Sequence, residues 1–596
     1  MTKENRNKAG TKTSVFSRYI IAALFSVIAA ILYYFWAVPY RAALSYREQL
    51  QLFQTTRAYF EGLAVRPGGP ATYAGEFLTQ FFNNFWIGAA VMAILLTLFM
   101  LLCYLIIRKF TPSASRYVSL ALSAIPLIAL QMLLGNPDVT VNFIVALLTT
   151  ITGAYLFISL RKHTRKIMDY VLMIIGTALL YWVAGPATIL FTLLIIAYSC
   201  VNAHNSIAYK AIFAATSLVW LGAKVYIWSS LLPYPLAYQL IGIGYMMVPD
   251  RLYAGQIIVE ALCFIIPILA PLTARISYKI IIPSLIVAEL IAIVVLYPKS
   301  YDQTTYRLIN YDYMVRANDW NGILEYSAAH DPDLPLSVSA TNLAAGMTGQ
   351  LDTRAFDYYQ RGPEGLIPPF VKETLSSWTT GEIFFQLGMI NSAQRFYFEG
   401  MEAIPNYNKS GRAVRRLAET AIIRGDYTLA RKYLTILENT LFYKKWARRN
   451  LDLIKNPSDV DSHPFYGILR KRMINEDYLF SEGELDKTLG QLFLKYSGND
   501  LAKQYLILYP LLQRDLNKFA QYMRVVTEAQ PGYNPQLAQQ AVAFMSMKNG
   551  QPIPTNIVPP AVEQSLRDFA QAWTSKIPAR LEPYRRTLYY YLLSDN

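Results

Sequence analysis

The sequence predicts an all-α protein: a polytopic helical membrane domain of about nine spans, followed by a helical-repeat solenoid. Three observations predict it. Of 596 residues, 54% are hydrophobic, and the long apolar runs crowd into residues 16–297. Residues 1–300 hold 22 Lys/Arg against 9 Asp/Glu, a net of +13, which leaves only +2 of the total +15 for the rest. Segments in the second half repeat one spacing of small and apolar residues. The break at Tyr297-Pro298-Lys299 divides a transmembrane domain, 1–299, from a domain over 300–596.

A spanning helix needs roughly 20 mainly apolar residues. Nine segments qualify, at about 17–37, 86–107, 117–134, 139–160, 168–184, 187–203, 209–230, 256–273 and 280–297. The basic tail before the first run is not followed by a small-residue cleavage site, so this run is expected to stay as an uncleaved span. Fifteen basic residues fall on one side of such a bundle: five in the tail, then Arg108, Lys109, Arg116, the four in RKHTRK (161–166), Lys210, Arg275 and Lys279. Six fall on the other: Arg41, Arg47, Arg57, Arg66, Arg251 and Lys299. The positive-inside rule therefore predicts a cytoplasmic N-terminus. Nine spans then put residues 300–596 outside the cytoplasm, with long outer loops at 38–85 and 231–255. The basic excess belongs to this topology and calls for no nucleic acid.

Residues 231–248, LLPYPLAYQLIGIGYMMV, are apolar enough for a tenth span, which would reverse the placement of the C-terminal half. Pro233 and Pro235 break its start, and the expectation is a re-entrant or interfacial segment.

In the second half, Gly388, Ala393, Tyr397, Gly400 and Pro405 are spaced 5, 4, 3 and 5. Gly425, Ala430, Leu434 and Leu437 repeat the 5, 4, 3. These are the spacings of the tetratricopeptide repeat, with weaker copies at 318–329, 348–359 and 513–526. A small turn residue lets one helix fold back on the next, and alanine allows close packing.

Several chemistries are absent as motifs. There is no GxxxxGK[ST], HExxH, CxxC or GxSxG. The four histidines (163, 204, 330, 463) are scattered, and Cys103, Cys200 and Cys263 each sit inside an expected span. What remains is charge in unusual places. Lys224 and Glu260 lie within the seventh and eighth spans at depths where they can pair, and Glu289 lies near the middle of the ninth. On the outer side the candidates are Glu48 in an amphipathic helix over 45–63, Arg66 in the knot RPGGP (66–70), Glu76 just after it, Asp138 in the turn 135–138, and Arg251 beside Asp250. Each also has a plain structural reading: a solvated helix face for Glu48, a helix cap for Asp138, a chain corner for RPGGP, a surface pair for Asp250 and Arg251, and a structural ion pair for Lys224 and Glu260.

The segments EQLQLF (48–53), RPGG (66–69), GEFLTQFF (75–82), GPEGLIPPF (362–370), LGMINSAQRF (387–396) and EAIPNYNKSGR (402–412) resemble an uncharacterised family of multi-pass membrane proteins from Bacteroides-type bacteria. That resemblance implies a bacterial inner membrane and no particular activity. The layout is also similar to glycosyltransferases of the GT-C class, some of which carry tetratricopeptide repeats after the last span. That likeness implies a polyprenyl-phosphate-linked sugar as donor, Glu48 as base with Glu76 or Asp138 assisting, a possible divalent metal, and Arg66 or Arg251 on the donor phosphate. The class places an acid soon after the first span, whereas here the first is Glu48. Two rival expectations stand beside it: a membrane-anchored scaffold whose repeats bind envelope proteins, and a transporter working through Lys224, Glu260 and Glu289.

Overall fold

The computed structural model describes residues 3–161, 166–201, 206–248, 253–273, 275–405, 408–474 and 482–594, with side chains from 17 onward except that of 482. Helix makes up 78% of it, and no strand occurs among the described residues. The chain forms two compact units. The first is Met1–Tyr306 with Pro405–Ser410 and Asn439–Phe442; the second is Arg307–Ile404, Gly411–Glu438 and Tyr443–Asn596.

The first unit contains α1 (Lys3–Ala37), α2 (Arg41–Gln49), α3 (Arg57–Ala64), α4 (Gly69–Thr79), α5 (Phe85–Phe110), α6 (Arg116–Leu133), α7 (Val141–Leu160), α8 (Lys166–Ala184), α9 (Thr188–Val201), α10 (Ile207–Leu231), α11 (Leu236–Ile241), α12 (Ala254–Thr273) and α13 (Tyr278–Leu296). Among the described residues, eight helical stretches are long and apolar enough to cross a membrane. Their ends follow ordinary capping chemistry. Asn84 Oδ1 accepts from the Trp86 and Ile87 N–H groups to start α5, and Arg108 and Lys109 occupy its last turn. Hydroxyls inside the helices bond back one turn, as Thr149 does to Val145 and Ser217 to Phe213, so they need no water.

The expected fifth and sixth spans fall within one of the eight stretches, Lys166–Val201. That stretch is interrupted at Gly185–Ala187, where Gly185 has φ +61° and Pro186 follows. The two halves are antiparallel, as one cluster at their far ends shows. Arg161 pairs with Asp169 at the start of α8 (2.8 Å) and donates to Ser199 at the end of α9 (3.3 Å). The Tyr209 hydroxyl, at the start of α10, donates to the same Asp169 (2.7 Å).

Each connection therefore belongs to one of two ends of the bundle. At the Arg161 end, Phe110 packs on Tyr198 and Lys109 lies over Tyr155, while Arg116 reaches Ser17 on α1 (2.8 Å). At the opposite end the RPGGP knot meets the Gly185 turn, backbone against backbone. Gly68 (φ +77°) donates its N–H to the Trp182 carbonyl (2.9 Å), and Trp182 Nε1 donates to the Ala64 carbonyl (2.9 Å). A Cβ on Gly185 would stand 3.3 Å from Gly68 Cα, and one on Gly69 would stand 1.9 Å from the Leu63 carbonyl oxygen. The same end holds the turn 134–139 and residues 297–306, since the Tyr306 hydroxyl donates to the Gly135 carbonyl (2.8 Å) and Tyr297 bonds Tyr40 through their hydroxyls. The chain thus leaves α13 at the end opposite residue 17.

Residues 231–248 are not a continuous helix. Only the six residues of α11 are helical, about 9 Å of rise. Beyond them Gly242 and Gly244 have positive φ, and residues 243–247 are largely buried, with an isolated bridge between Met246 and Val139.

In the second unit, the turns that the repeat spacing singles out are closed by left-handed residues. Gly388 (φ +92°) joins Thr374–Leu387 to Ile390–Glu402, and Gly425 (φ +80°) joins Gly411–Arg424 to Tyr427–Glu438. Asn318, Gly349 and Arg514 also stand between consecutive helices with positive φ. Ala393, Tyr397, Ala430, Leu434 and Leu437 are fully buried, as close packing between paired helices requires.

Charge is buried in this unit as well. Arg412 makes two bonds to Asp312 (2.7 and 2.8 Å), with the guanidinium 5.3 Å from the Trp378 ring. Arg416 bridges Glu382 (2.7 Å) and Glu419 (2.5 Å), and the Tyr397 hydroxyl and Gln386 amide also donate to Glu382 (both 2.8 Å). Burial pushes the Glu382 carboxyl up, but Arg416 and these donors outweigh it and hold the group below its ordinary value.

Two stability outcomes follow. Gly69→Ala, which drives a methyl into the Leu63 carbonyl, is expected to lower the melting temperature of the detergent-purified chain well beyond Gly62→Ala, where a Cβ meets nothing within 4 Å. Equal melting temperatures would show that the knot yields. Arg412→Ala leaves Asp312 buried without its cation and is expected to cost about 3–5 kcal/mol in denaturant unfolding; a loss under ~1 kcal/mol, the scale of an exposed pair, would contradict this reading.

Candidate functional site

The end of the bundle that carries the knot also carries the clearest concentration of chemistry outside the spans. Thr56 caps α3 by accepting from the Tyr59 N–H (3.3 Å), which fixes Tyr59 in its first turn. Gly68 and Pro70 start α4, Glu76 follows two turns on, and its neighbour Gly75 packs against α7. The packing is close: a Cβ on Gly75 would stand 2.1 Å from Asn142 Oδ1. Glu76 is only 5% exposed.

The Tyr59 hydroxyl donates a short hydrogen bond to Glu76 Oε2. Arg66 acts electrostatically on both, and its buried Nε has no hydrogen-bond acceptor. Burial pushes the Glu76 carboxyl above its ordinary value, and the Tyr59 bond and Arg66 only partly offset it. Burial, then the Glu76 charge, pushes the Tyr59 phenol far up. The group lies beneath aromatic rings centred on Phe53, with Tyr73 at 4.8 Å, Tyr59 at 5.4 Å and Phe77 at 5.6 Å between centroids. Phe60 and Phe77 remain exposed. A carboxyl raised above its ordinary value, a phenol, and a guanidinium N–H without an acceptor suit proton exchange with an oxygen-bearing, anionic group, and the exposed rings offer it an apolar or sugar-like face.

The other sequence candidates are placed as follows. Glu48 is buried on α2, and its neighbour Arg47 binds the turn that bears Asp138. Arg47 Nη2 donates to the Leu134 (2.5 Å) and Asn136 (3.0 Å) carbonyls and Nε to Val139 (3.4 Å). Asp138 Oδ2 accepts from the Tyr253 hydroxyl (3.3 Å), and the residue at the N-cap position of α7 is Thr140, whose hydroxyl donates to the Gly244 carbonyl (2.6 Å). Arg251 lies outside the described residues. Arg66 and Glu76 are brought together; Lys224 and Glu260 are not. Lys224 lies over the Trp220 ring at 4.3 Å, and Glu260 is bonded by Gln256. Glu289 faces an apolar cleft of about 510 Å³ between α6, α12 and α13. No group of three or more His, Cys, Asp or Glu suited to a metal occurs among the described residues, so Glu48, Glu76 and Asp138 are not gathered into a metal centre.

Tyr59, Arg47 and Tyr245 carry this end of the bundle without having been singled out in the sequence. The Tyr245 hydroxyl donates to the Ala184 carbonyl and accepts from the Ala187 N–H (3.1 Å), so it ties residues 243–247 to the Gly185 turn.

Fold and site together describe an all-helical protein with eight helical stretches long and apolar enough to cross a membrane among the described residues, a second helical unit, and a buried Glu76 beside the half-buried Tyr59 and Arg66. The chain belongs to a family of unknown function, DUF6057, whose model matches residues 16–595. No curated protein and no solved structure matches it.

The raised Glu76 carboxyl has a definite pH signature. The folded state holds this proton more tightly than the unfolded state, whose value is near 4.5, so its contribution to stability is full below 4.5 and is lost as pH rises. Glu76→Gln is therefore expected to match wild type in melting temperature near pH 4.5 and to exceed it increasingly toward neutrality. A wild-type advantage that grows with pH would reverse the assignment.

Proposed function

We propose that the chain is a GT-C-like glycosyltransferase of the bacterial inner membrane, taking sugar from a polyprenyl-phosphate donor at the extracytoplasmic face. The N-terminus is cytoplasmic, the membrane is crossed about nine times, and the C-terminal unit is a tetratricopeptide-like solenoid outside the cytoplasm. Two things support this topology: the fifteen-to-six division of basic residues, and a bundle whose residues 17 and 297–306 belong to opposite ends.

The observation that carries the catalytic reading is the buried Glu76–Tyr59 pair beside Arg66, whose Nε lacks an acceptor. In the reaction the acceptor oxygen bonds to the anomeric carbon, the bond from that carbon to the phosphate oxygen breaks, and polyprenyl phosphate leaves with the electron pair. Glu76 takes the acceptor proton, Tyr59 orients the carboxylate, and Arg66 balances the charge on the departing phosphate. Glu48 is the second candidate base.

A second reading, a membrane-anchored scaffold, is favoured by the solvent-open cavity with cationic walls in the C-terminal unit. The discriminating assay uses the full chain in lipid nanodiscs with polyprenyl-phosphate-linked sugars from a bacterial lipid extract, reading release of polyprenyl phosphate. Glu76→Gln and Arg66→Ala are each expected to lower the rate about 100-fold or more. Wild-type rates in both variants, or no release by the wild type, would leave the scaffold.

A further inference from the structure

The C-terminal unit holds an open cavity of about 480 Å³. Its lining contains three guanidinium groups, Arg415, Arg416 and Arg449, against a single carboxylate, Glu419. That carboxylate is already committed: it accepts from Arg415 Nε (3.2 Å) and Arg416 Nη1 (2.5 Å) at the floor of the cavity. Arg416 spends its other arm on Glu382 (2.7 Å). The terminal nitrogens of Arg415 and the whole guanidinium of Arg449 make no hydrogen bond or ion pair among the described residues. Arg415 is held at 4.9 Å over the Trp446 ring, which fixes the direction of its unused donors.

The opposite wall adds a fourth donor. His463 Nδ1 accepts from the N–H groups of Phe465 (3.2 Å) and Tyr466 (3.3 Å), so the neutral ring carries its proton on Nε2. The His463 ring stacks on Tyr466 at 4.6 Å, and Tyr466 is itself held by Asn450 Oδ1 (2.8 Å). The site is therefore rich in donors, with one carboxylate against three guanidinium groups, and lined in part by aromatic rings. Its amide side chains, Asn318 and Gln386, suit hydroxyl groups better than an apolar ligand.

We propose that this cavity binds an acidic sugar, with Arg415 and Arg449 on its carboxylate or phosphate and the aromatic wall against its ring. The site lies within the C-terminal unit alone and is independent of any chemistry at Glu76.

The test is isothermal titration of the full chain, in nanodiscs of zwitterionic lipid, with glucuronate, glucose 1-phosphate, glucose and an Asp-Glu dipeptide. One or both acidic sugars are expected to bind, glucose is not, and added salt is expected to weaken binding. Binding of glucuronate alone identifies a carboxylate ligand, and of glucose 1-phosphate alone a phosphate ligand. Arg449→Ala, which removes no internal partner, is expected to weaken binding about tenfold or more without moving the melting temperature. Failure of both acids to bind, equal binding of glucose, binding of the dipeptide in their place, or wild-type affinity in Arg449→Ala would each overturn the proposal.

Discussion

The end of the membrane bundle that carries the candidate site depends on one close approach, Gly68 against Gly185. Both residues have positive φ, and no side chain separates them. Chain that leaves a helix must find partners for its backbone groups, and within or near lipid it must find them in protein. The knot answers this with the Gly68 N–H on the Trp182 carbonyl and Trp182 Nε1 on the Ala64 carbonyl. Tyr245 satisfies the next groups at Ala184 and Ala187, and Arg47 covers the carbonyls of the turn 134–139. These ties lie at the end of the bundle where Gly75 of α4 packs against α7 and Glu76 is buried.

Much of this frame was legible in the sequence, because its causes are local. Lipid demands long apolar runs, and the runs are there. A turn between paired helices favours a residue that tolerates positive φ, and Gly388 and Gly425 stand at such turns. Asn318 and Arg514 take up positive φ with a side chain attached, at some conformational cost, and no glycine marks them as turns of this kind. The stretch 166–201 shows where composition runs out. Its two halves read as separate spans, yet what makes them antiparallel is Arg161 reaching Asp169 and Ser199 from another helix.

The candidate site was legible only in part. Arg66 and Glu76 stood out as charges beside a membrane span. Their partner Tyr59 did not, because it lies 17 residues from Glu76 across a reversal of the chain. Attention to carboxylates singled out Glu48; its neighbour Arg47 reaches the turn 134–139, about 90 residues away in the sequence. In the C-terminal unit, Arg412 and Arg416 sit on a helix whose charges suggest a solvated face. They are buried because their acids come from helices far away in sequence, Asp312 being 100 residues distant from Arg412. No spacing rule reaches that far. Such pairs add little net stability over apolar packing, but they reject arrangements that leave a charge alone.

The Gly68–Gly185 contact also orders events during synthesis. The two glycines are 117 residues apart in the sequence, and Tyr245 is 60 residues further on. At about 5–20 residues per second, the knot emerges from the ribosome roughly 6–23 seconds before the turn it packs against. The first loop therefore waits, with its glycine backbone unmatched, while α5, α6, α7 and α8 are made and inserted. This end of the bundle cannot close before residue 185, and then Tyr245, has been made, and whatever holds the nascent loop in the interval holds the segment that will carry Glu76.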